Sequence, residues 1–119
     1  MQAVTVYHNP RCSKSRAVLA LLEENDIEAD VIDYIESPPD VATLKSLVKK
    51  LGVELRDILR RNEPEYDELG LDDMTLNEAI VLDLVSRHPQ LIQRPIIVQG
   101  DKAIIGRPPE NVLTFLEAN

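Results

Sequence analysis

The sequence has one cysteine, four glycines and no tryptophan, and it contains no long apolar run. One cysteine cannot form a disulfide within the chain, which favours a reducing compartment. A bilayer-spanning helix needs roughly 20 consecutive apolar residues, and no run approaches that length. The segment from Met1 to Tyr7 lacks the basic start and the small-residue cleavage site of a signal peptide. We therefore expect a cytoplasmic protein that does not bind membranes.

Positive charge is also scarce, because 13 Lys and Arg residues against 21 Asp and Glu residues give a net charge of −8. Such a chain repels nucleic acid, so we expect no nucleic-acid partner, and any bound anion must be held by a local cluster of arginines. No set of side chains has metal-ligand spacing, and no glycine-rich loop could cradle a phosphate. We expect neither a metal site nor a bound cofactor.

Length and composition predict one globular domain over residues 1–119. Apolar residues make up 44% of the chain and charged residues 29%, a balance typical of folded proteins rather than disordered ones. A chain of this size can bury an ordinary core without disulfides or metal. The sequence shows no internal repeat, and no heptad or large apolar stripe argues for assembly, so we expect a monomer.

The first part of the chain has the pattern of a βαβ unit. Alternating apolar residues predict strands over 3–7 and 30–35, and apolar residues at helical spacing predict a helix over 13–25. Strand, helix and strand within some 30 residues favour a parallel pair with a right-handed crossover.

The middle of the chain is predicted to be helical and the end to be ββα. One helix should follow Asp40 and end at Gly52, and a short second helix should cover 54–61. Thr75 and Glu78 have the spacing of a capping box, which predicts a helix from Thr75 to about Arg87. Two apolar runs, 96–98 and 103–105, flank Gly100-Asp101 as in a β-hairpin, and a last helix follows Pro108-Pro109-Glu110.

Cys12 lies where the first predicted strand ends and the first helix begins. The backbone N–H groups of a helix start lack intrahelical partners and the helix dipole is positive there, so both a thiolate and an oxyanion are stabilised. A buried structural cysteine would have apolar neighbours. The neighbours here are Pro10, Arg11, Ser13, Lys14, Ser15 and Arg16. We predict that Cys12 is a reactive nucleophile.

The residues at two positions after Cys12 exclude two known kinds of cysteine enzyme. Ser15 occupies the position of the second thiol in a Cys-x-x-Cys motif, so the chain is not a dithiol oxidoreductase, and an external thiol must resolve any adduct on the sulfur. A phosphatase loop of the Cys-x₅-Arg kind would need an arginine at position 18, where the chain has Val18.

Four segments resemble the motifs of the glutaredoxin-linked bacterial arsenate reductases. They are, in chain order, 8–16 (HNPRCSKSR), 59–63 (LRRNE), 94–98 (RPIIV) and 105–108 (IGRP). The resemblance extends from about Val4 to Leu116. It implies an α/β protein with a thioredoxin-like fold, in which βαβ and ββα halves form a mixed four-stranded sheet, with a helical insertion over about 40–90.

The resemblance also implies a reaction and its partners. Arsenate or a similar oxyanion would be the substrate, Cys12 the nucleophile, glutathione the co-substrate and glutaredoxin the protein that clears the glutathione mixed disulfide. Arg60, Arg94 and Arg107 would hold the oxyanion. Arg60 is preferred over Arg61, because only one of these neighbours needs to face the site.

Four further residues have roles in this prediction. His8 and Ser15 would support the thiolate, and Arg16 would be an additional contact of the anion. Pro95 would be the cis-proline that faces the cysteine in thioredoxin-like folds.

Two other functions stay open on the sequence. The chain could be a thiol-dependent redox enzyme that acts on another substrate. It could also be a regulator of the same fold that binds RNA polymerase, although Ser15 removes the Cys-x-x-Cys switch that some such regulators use.

Overall fold

The structure is a computed structural model that describes residues 3–118. The expectation about a signal peptide rests partly on Met1 and Gln2, which lie outside these residues. Within these residues, five helices, four strands and two short 3₁₀ turns follow one another. They are β1 (Val4–His8), α1 (Ser13–Glu24), β2 (Asp30–Asp33), α2 (Val41–Leu51), the 3₁₀ turn Leu55–Ile58, α3 (Pro64–Glu68), α4 (Glu78–Arg87), the 3₁₀ turn Pro89–Leu91, β3 (Ile96–Gln99), β4 (Lys102–Ile105) and α5 (Asn111–Ala118).

These elements form two compact units. The first contains the described residues up to Ser37 together with those from Arg94 onward, and the second is Pro38–Gln93. All four strands belong to the first unit, whereas the second consists of helices, 3₁₀ turns and loops.

The four strands form one mixed sheet in the spatial order β2-β1-β3-β4. β1 and β2 are parallel and are joined by α1, whereas β3 is antiparallel to both β1 and β4. The predicted mixed four-stranded sheet of βαβ and ββα halves, and with it the thioredoxin-like fold, is confirmed. The hairpin predicted around Gly100-Asp101 is also confirmed, and Gly100 adopts a φ of 63° in its turn.

The core of the first unit forms where α1 and α5 pack against the sheet. β1 alternates between buried and partly buried residues, as the two-residue period of a strand requires. Both helices contribute apolar residues spaced by four, which lie on one face of a helix. The buried cluster consists of Val4, Val6, Val18, Leu22, Ile97, Val112 and Leu116.

Gly106 is a point of close packing just after β4. A Cβ atom at this position would lie 2.9 Å from both Ile97 Cδ1 and Val18 Cγ2, and 3.1 Å from Pro95 Cγ. The Gly106 N–H donates to the Pro95 carbonyl at 2.9 Å. The absence of a side chain therefore allows the segment after β4 to approach the segment before β3.

Helix α2 of the second unit begins and ends at the predicted residues. Asp40 Oδ1 accepts a hydrogen bond from the Thr43 N–H at 2.8 Å, and Gly52 ends the helix in the left-handed region with a φ of 69°. The Ser86 hydroxyl of α4 donates to the Pro39 carbonyl at 2.8 Å, which ties α4 to the segment before α2.

The start of α4 differs from the prediction. The N-cap is Asn77, whose side chain accepts from the Ile80 N–H at 2.9 Å. Thr75 was the wrong residue because its hydroxyl donates to Asp73 Oδ1 at 2.6 Å and its N–H donates to the same oxygen at 2.9 Å. Thr75 is therefore bound to Asp73 in a local turn and does not cap the helix.

Two further elements end earlier than predicted. β2 ends at Asp33 rather than at residue 35, because Asp33 Oδ1 accepts from the Ile35 N–H at 3.1 Å and so turns the chain. The helix predicted over 54–61 is a 3₁₀ turn that ends at Ile58, since Leu59 is extended and forms an isolated β-bridge with Ile92.

Candidate active site

Cys12 lies in the first unit, in the turn between β1 and α1. Its N–H donates to the Asn9 carbonyl at 3.0 Å, and Asn9 Oδ1 accepts from the Arg11 N–H at 3.0 Å. Cys12 is the N-cap residue of α1, and its carbonyl accepts the first helical hydrogen bond from the Arg16 N–H. The half-buried thiol is therefore at the positive end of a 12-residue helix.

The surroundings of the sulfur favour the thiolate. Burial raises the pKa of Cys12, but hydrogen bonds from the Ser15 N–H, the Arg94 side chain and the Lys14 N–H, together with the Arg94 charge, outweigh burial and lower the pKa below its ordinary value. The two N–H groups belong to the first turn of α1, where they have no helical acceptor. Because the thiolate is the nucleophilic form of cysteine, the lowered pKa favours the more reactive state of Cys12.

The register of the hairpin brings Arg94 and Arg107 to the same end of the sheet. Ile96 pairs with Ile105, so the residues two positions outside this pair lie opposite each other. Arg107 Nε donates to the Arg94 carbonyl at 2.8 Å, and Arg107 Nη2 lies 4.0 Å from Cys12 Sγ. Two guanidinium groups therefore converge on the sulfur.

Arg94 is fully charged in this setting. Burial opposes its charge, but the hydrogen bond with Cys12 and the nearby Tyr34 raise the pKa of Arg94 above its ordinary value. The Arg94–Pro95 peptide is cis, and so is the Arg107–Pro108 peptide.

His8 and Ser15 form a buried pair behind the Cys12 turn. The Ser15 hydroxyl is within 2.6 Å of His8 Nδ1 and accepts from the Asn9 N–H at 3.0 Å. Ser15 thus uses its side chain to hold His8 and Asn9, and it supports the sulfur with its backbone N–H. Burial lowers the pKa of His8, opposed by the charge of Asp33, so the imidazole is neutral at neutral pH.

Sequence reasoning missed Tyr34 and Asn9. Tyr34 directly follows β2 and is 1% exposed, and its hydroxyl is hydrogen-bonded to both Arg94 and Asn9. Tyr34 could have been found from the topology of the βαβ unit, because the carboxyl ends of parallel strands lie at one edge of a sheet. His8 at the end of β1 pairs with Asp33, which places Tyr34 one residue beyond the same edge.

Arg16 and Arg60 are placed differently from the two arginines at the sulfur. Arg16 is exposed, and its Nη1 donates to the carbonyl of Pro10 at 2.9 Å. Arg60 belongs to the second unit, where its Nε donates to Glu63 Oε1 at 3.2 Å and its side chain is 13% exposed. Arg61 is exposed. The roles of Arg16 and Arg60 as anion contacts stay predictions.

Clusters of metal ligands and membrane-spanning helices are both lacking within residues 3–118. Within that range no three His, Cys, Asp or Glu side chains are arranged so that they could hold a metal ion. No helix in the same range is long and apolar enough to cross a membrane.

Comparison with known proteins identifies the family to which this thiol site belongs. The model of the ArsC family matches residues 7–115, which include Cys12, Arg94 and Arg107. The chain belongs to the ArsC family.

Several known proteins match this chain almost from end to end. An arsenate reductase of Neisseria meningitidis is 45% identical over 117 residues, which are 98% of this chain and 100% of that protein. The Escherichia coli K12 protein named uncharacterized protein YfgD is 50% identical over 114 residues, 95% of this chain and 96% of its own length. The solved structure of an arsenate reductase from Vibrio cholerae has a TM-score of 0.92 and 46% identity, and it covers 95% of this chain and 97% of that one.

Proposed function

We propose that this protein reduces arsenate to arsenite, with Cys12 as the nucleophile and with glutathione and glutaredoxin as the source of electrons. One observation carries the proposal: Arg94 and Arg107 converge on a cysteine whose pKa is lowered at the start of a helix. A thiolate supplies the attack, and the guanidinium groups and the helix start supply a binding place for a tetrahedral anion. The names of the ArsC relatives at 45% and 46% identity support arsenate as the substrate.

The first step joins sulfur to arsenic. Arg94 and Arg107 neutralise and orient the arsenate dianion, which offsets its repulsion from the thiolate. The Cys12 thiolate donates an electron pair to arsenic, and an S–As bond forms. The arsenate hydroxyl takes up one proton and leaves as water, so arsenic stays As(V) in the adduct.

The second step reduces arsenic with an external thiol, because Cys12 is the only cysteine in the chain. A glutathione thiolate attacks Cys12 Sγ, and the S–As bond breaks with its electron pair moving to arsenic. Arsenic is thereby reduced to As(III) and leaves as arsenite, while Cys12 and glutathione form a mixed disulfide. A glutaredoxin thiol then takes over the glutathione and returns Cys12 as a thiolate. Overall, two thiols are oxidised for each arsenate reduced.

The proposal includes the compartment. A chain with a single cysteine that depends on glutathione suits the cytoplasm, where small thiols keep protein thiols reduced. The predicted roles of Arg16 and Arg60 belong to the same proposal and rest on the resemblance of their segments to the motifs of arsenate reductases.

The test is a reconstituted reaction with purified protein, arsenate, glutathione and glutaredoxin, in which arsenite is measured directly. We expect arsenite to form, and we expect its formation to stop when either glutathione or Cys12 is removed. Cys12→Ser is the matched control, because it changes a single atom at the site. Arsenite at the level of the Cys12→Ser control would refute the proposal.

A second arm distinguishes the remaining functions. Phosphate and sulfate resemble arsenate in shape but are not reduced by thiols, so they should at most compete with it. Glutathione-dependent turnover of another substrate without arsenite formation would indicate a different thiol enzyme. Retention of RNA polymerase subunits, with no binding of any oxyanion, would indicate the regulator.

A further inference from the structure

We propose that Tyr34 is a positioning residue of this site: its buried hydroxyl, held between Asn9 and Arg94, keeps the Arg94 guanidinium against the Cys12 sulfur. The inference deepens the proposed function, and it rests on that function only where turnover of arsenate is concerned. Its effect on the thiolate can be measured without any substrate.

The fold brings Tyr34 to the cysteine turn by pairing β2 with β1. The Tyr34 N–H donates to the carbonyl of His8 at 3.4 Å, which extends the parallel ladder by one residue past Asp33. The side chain of Tyr34 is 1% exposed, and Asn9, with which its hydroxyl bonds, is 8% exposed. The hydroxyl therefore lies beneath the turn that carries Cys12 and out of contact with solvent.

The hydroxyl of Tyr34 connects two parts of the site that are distant in sequence. It is hydrogen-bonded to the Asn9 side chain and to the Arg94 side chain, which itself is hydrogen-bonded to Cys12. Asn9 also fixes the cysteine turn, because its carbonyl accepts from the Cys12 N–H. The Tyr34 hydroxyl thus links Arg94 to the turn that carries Cys12.

A neutral phenol is well suited to this task. Burial raises the pKa of Tyr34 to about 12, although Arg94 opposes this rise, so the hydroxyl keeps its proton at neutral pH. A phenolate or a carboxylate in its place would pair with Arg94 and neutralise the charge that the thiolate needs. The neutral hydroxyl orients the guanidinium and leaves its charge available to the sulfur and to a bound oxyanion.

Without this partner, Arg94 has more freedom to leave the sulfur. An arginine side chain has many rotamers, and only some of them place the guanidinium at the sulfur. Neighbouring groups that hold the side chain in such a rotamer increase the fraction of molecules in which the contact forms. Loss of the hydroxyl should therefore lower the fraction of molecules in which Arg94 stabilises the thiolate, and the pKa of Cys12 should rise towards that of an ordinary thiol.

The test is Tyr34→Phe, which removes the hydroxyl and keeps the ring. The rate of alkylation of Cys12 by iodoacetamide is followed against pH, and it reports one thiol because the chain has no other. We expect a rate at least about threefold lower on the acid side of the titration and a midpoint at higher pH. Tyr66→Phe is the matched control, since Tyr66 is also buried, at 6% exposure, but lies in the second unit.

A double-mutant cycle separates positioning from a general structural role. If Tyr34 acts through Arg94, then Tyr34→Phe should have no further effect on the titration of Cys12 in an Arg94→Ala background. An equal effect in both backgrounds, or no effect in the wild-type background, would overturn the proposal. For arsenate turnover, we expect Tyr34→Phe to lower kcat/KM in the same background-dependent way.

Nitrogen NMR on the Cys12→Ser protein measures the rotation of the Arg94 guanidinium in the absence of the thiolate. Tyr34 is intact in this protein, so the measurement does not depend on the folding of a Tyr34 variant. We expect hindered rotation with separately resolved N–H signals for Arg94 and averaged signals for the exposed Arg61. Averaged signals for Arg94 would show that Tyr34 does not hold it, whether or not the protein reduces arsenate.

Discussion

Removal of the Arg94 side chain should weaken the Cys12 thiolate by an amount that the structure bounds. The sulfur accepts a hydrogen bond from the Arg94 guanidinium, and such bonds to charged groups contribute about 1.5–3 kcal/mol. Cys12 is only half-buried, so solvent screens the pair and the lower end of this range applies. A loss of about 1.5 kcal/mol corresponds to about a tenfold smaller ratio of thiolate to thiol. We therefore expect Arg94→Ala to raise the pKa of Cys12 and to slow alkylation about tenfold at pH values below the wild-type midpoint.

The assay for Arg94→Ala is the absorbance of the thiolate in the far ultraviolet, recorded against pH and repeated as an alkylation rate. The single cysteine makes the alkylation rate specific to this site, and it is the only source of a thiolate signal in the absorbance. Arg87→Ala is the control, because Arg87 has a side chain that is 72% exposed and pairs with Asp83 in the second unit. If Arg94→Ala and Arg87→Ala gave the same Cys12 titration as the wild type, the argument that Arg94 stabilises the thiolate would be refuted.

Three further predictions concern stability, each measured as the free energy of unfolding in urea. Gly106→Ala should lose about 1–3 kcal/mol, because its Cβ would overlap atoms at 2.9 Å, and wild-type stability would contradict the packing argument. Asn77→Ala should lose about 1 kcal/mol and Thr75→Ala less, and the reverse order would restore Thr75 as the cap of α4. Because the pKa of His8 is lowered from 6.5, its neutral form contributes stability that is complete above that pH and is lost as the pH falls through the lowered pKa. Wild type should therefore lose more stability than His8→Gln between pH 7 and pH 5, and parallel losses would contradict this.

The sequence predicted most of the fold because its elements are signalled by nearby residues. Two-residue alternation in β1 and four-residue spacing in α1 and α5 are local patterns, and they correspond to the faces that form the buried cluster. The errors were also local in scale. Thr75 has the spacing of a cap, but Asp73 satisfies its hydroxyl, and a side chain with two possible partners cannot be assigned from spacing alone.

In the site, too, the residues that are close in sequence were easier to predict than the distant ones. Cys12, its cationic neighbours and the start of α1 lie within a few residues of one another, so the position of the thiol at a helix start could be predicted directly. Arg94 and Arg107 are some 80 to 95 residues away from Cys12. The sequence placed them at the cysteine only through its resemblance to a family, and the register that sets them opposite each other comes from the structure.

Local sequence therefore specifies that a thiol stands at a helix start, and that any second thiol needed to form a disulfide with it must come from another molecule, because the chain has one cysteine. Packing specifies what surrounds the thiol. Burial and the parallel pairing of β2 with β1 bring Tyr34 beneath the turn, direct the Ser15 hydroxyl to His8 rather than to the sulfur, and aim Arg94 at Cys12. Burial and direction are properties of many chain segments together, and for this reason no short stretch of residues encodes them.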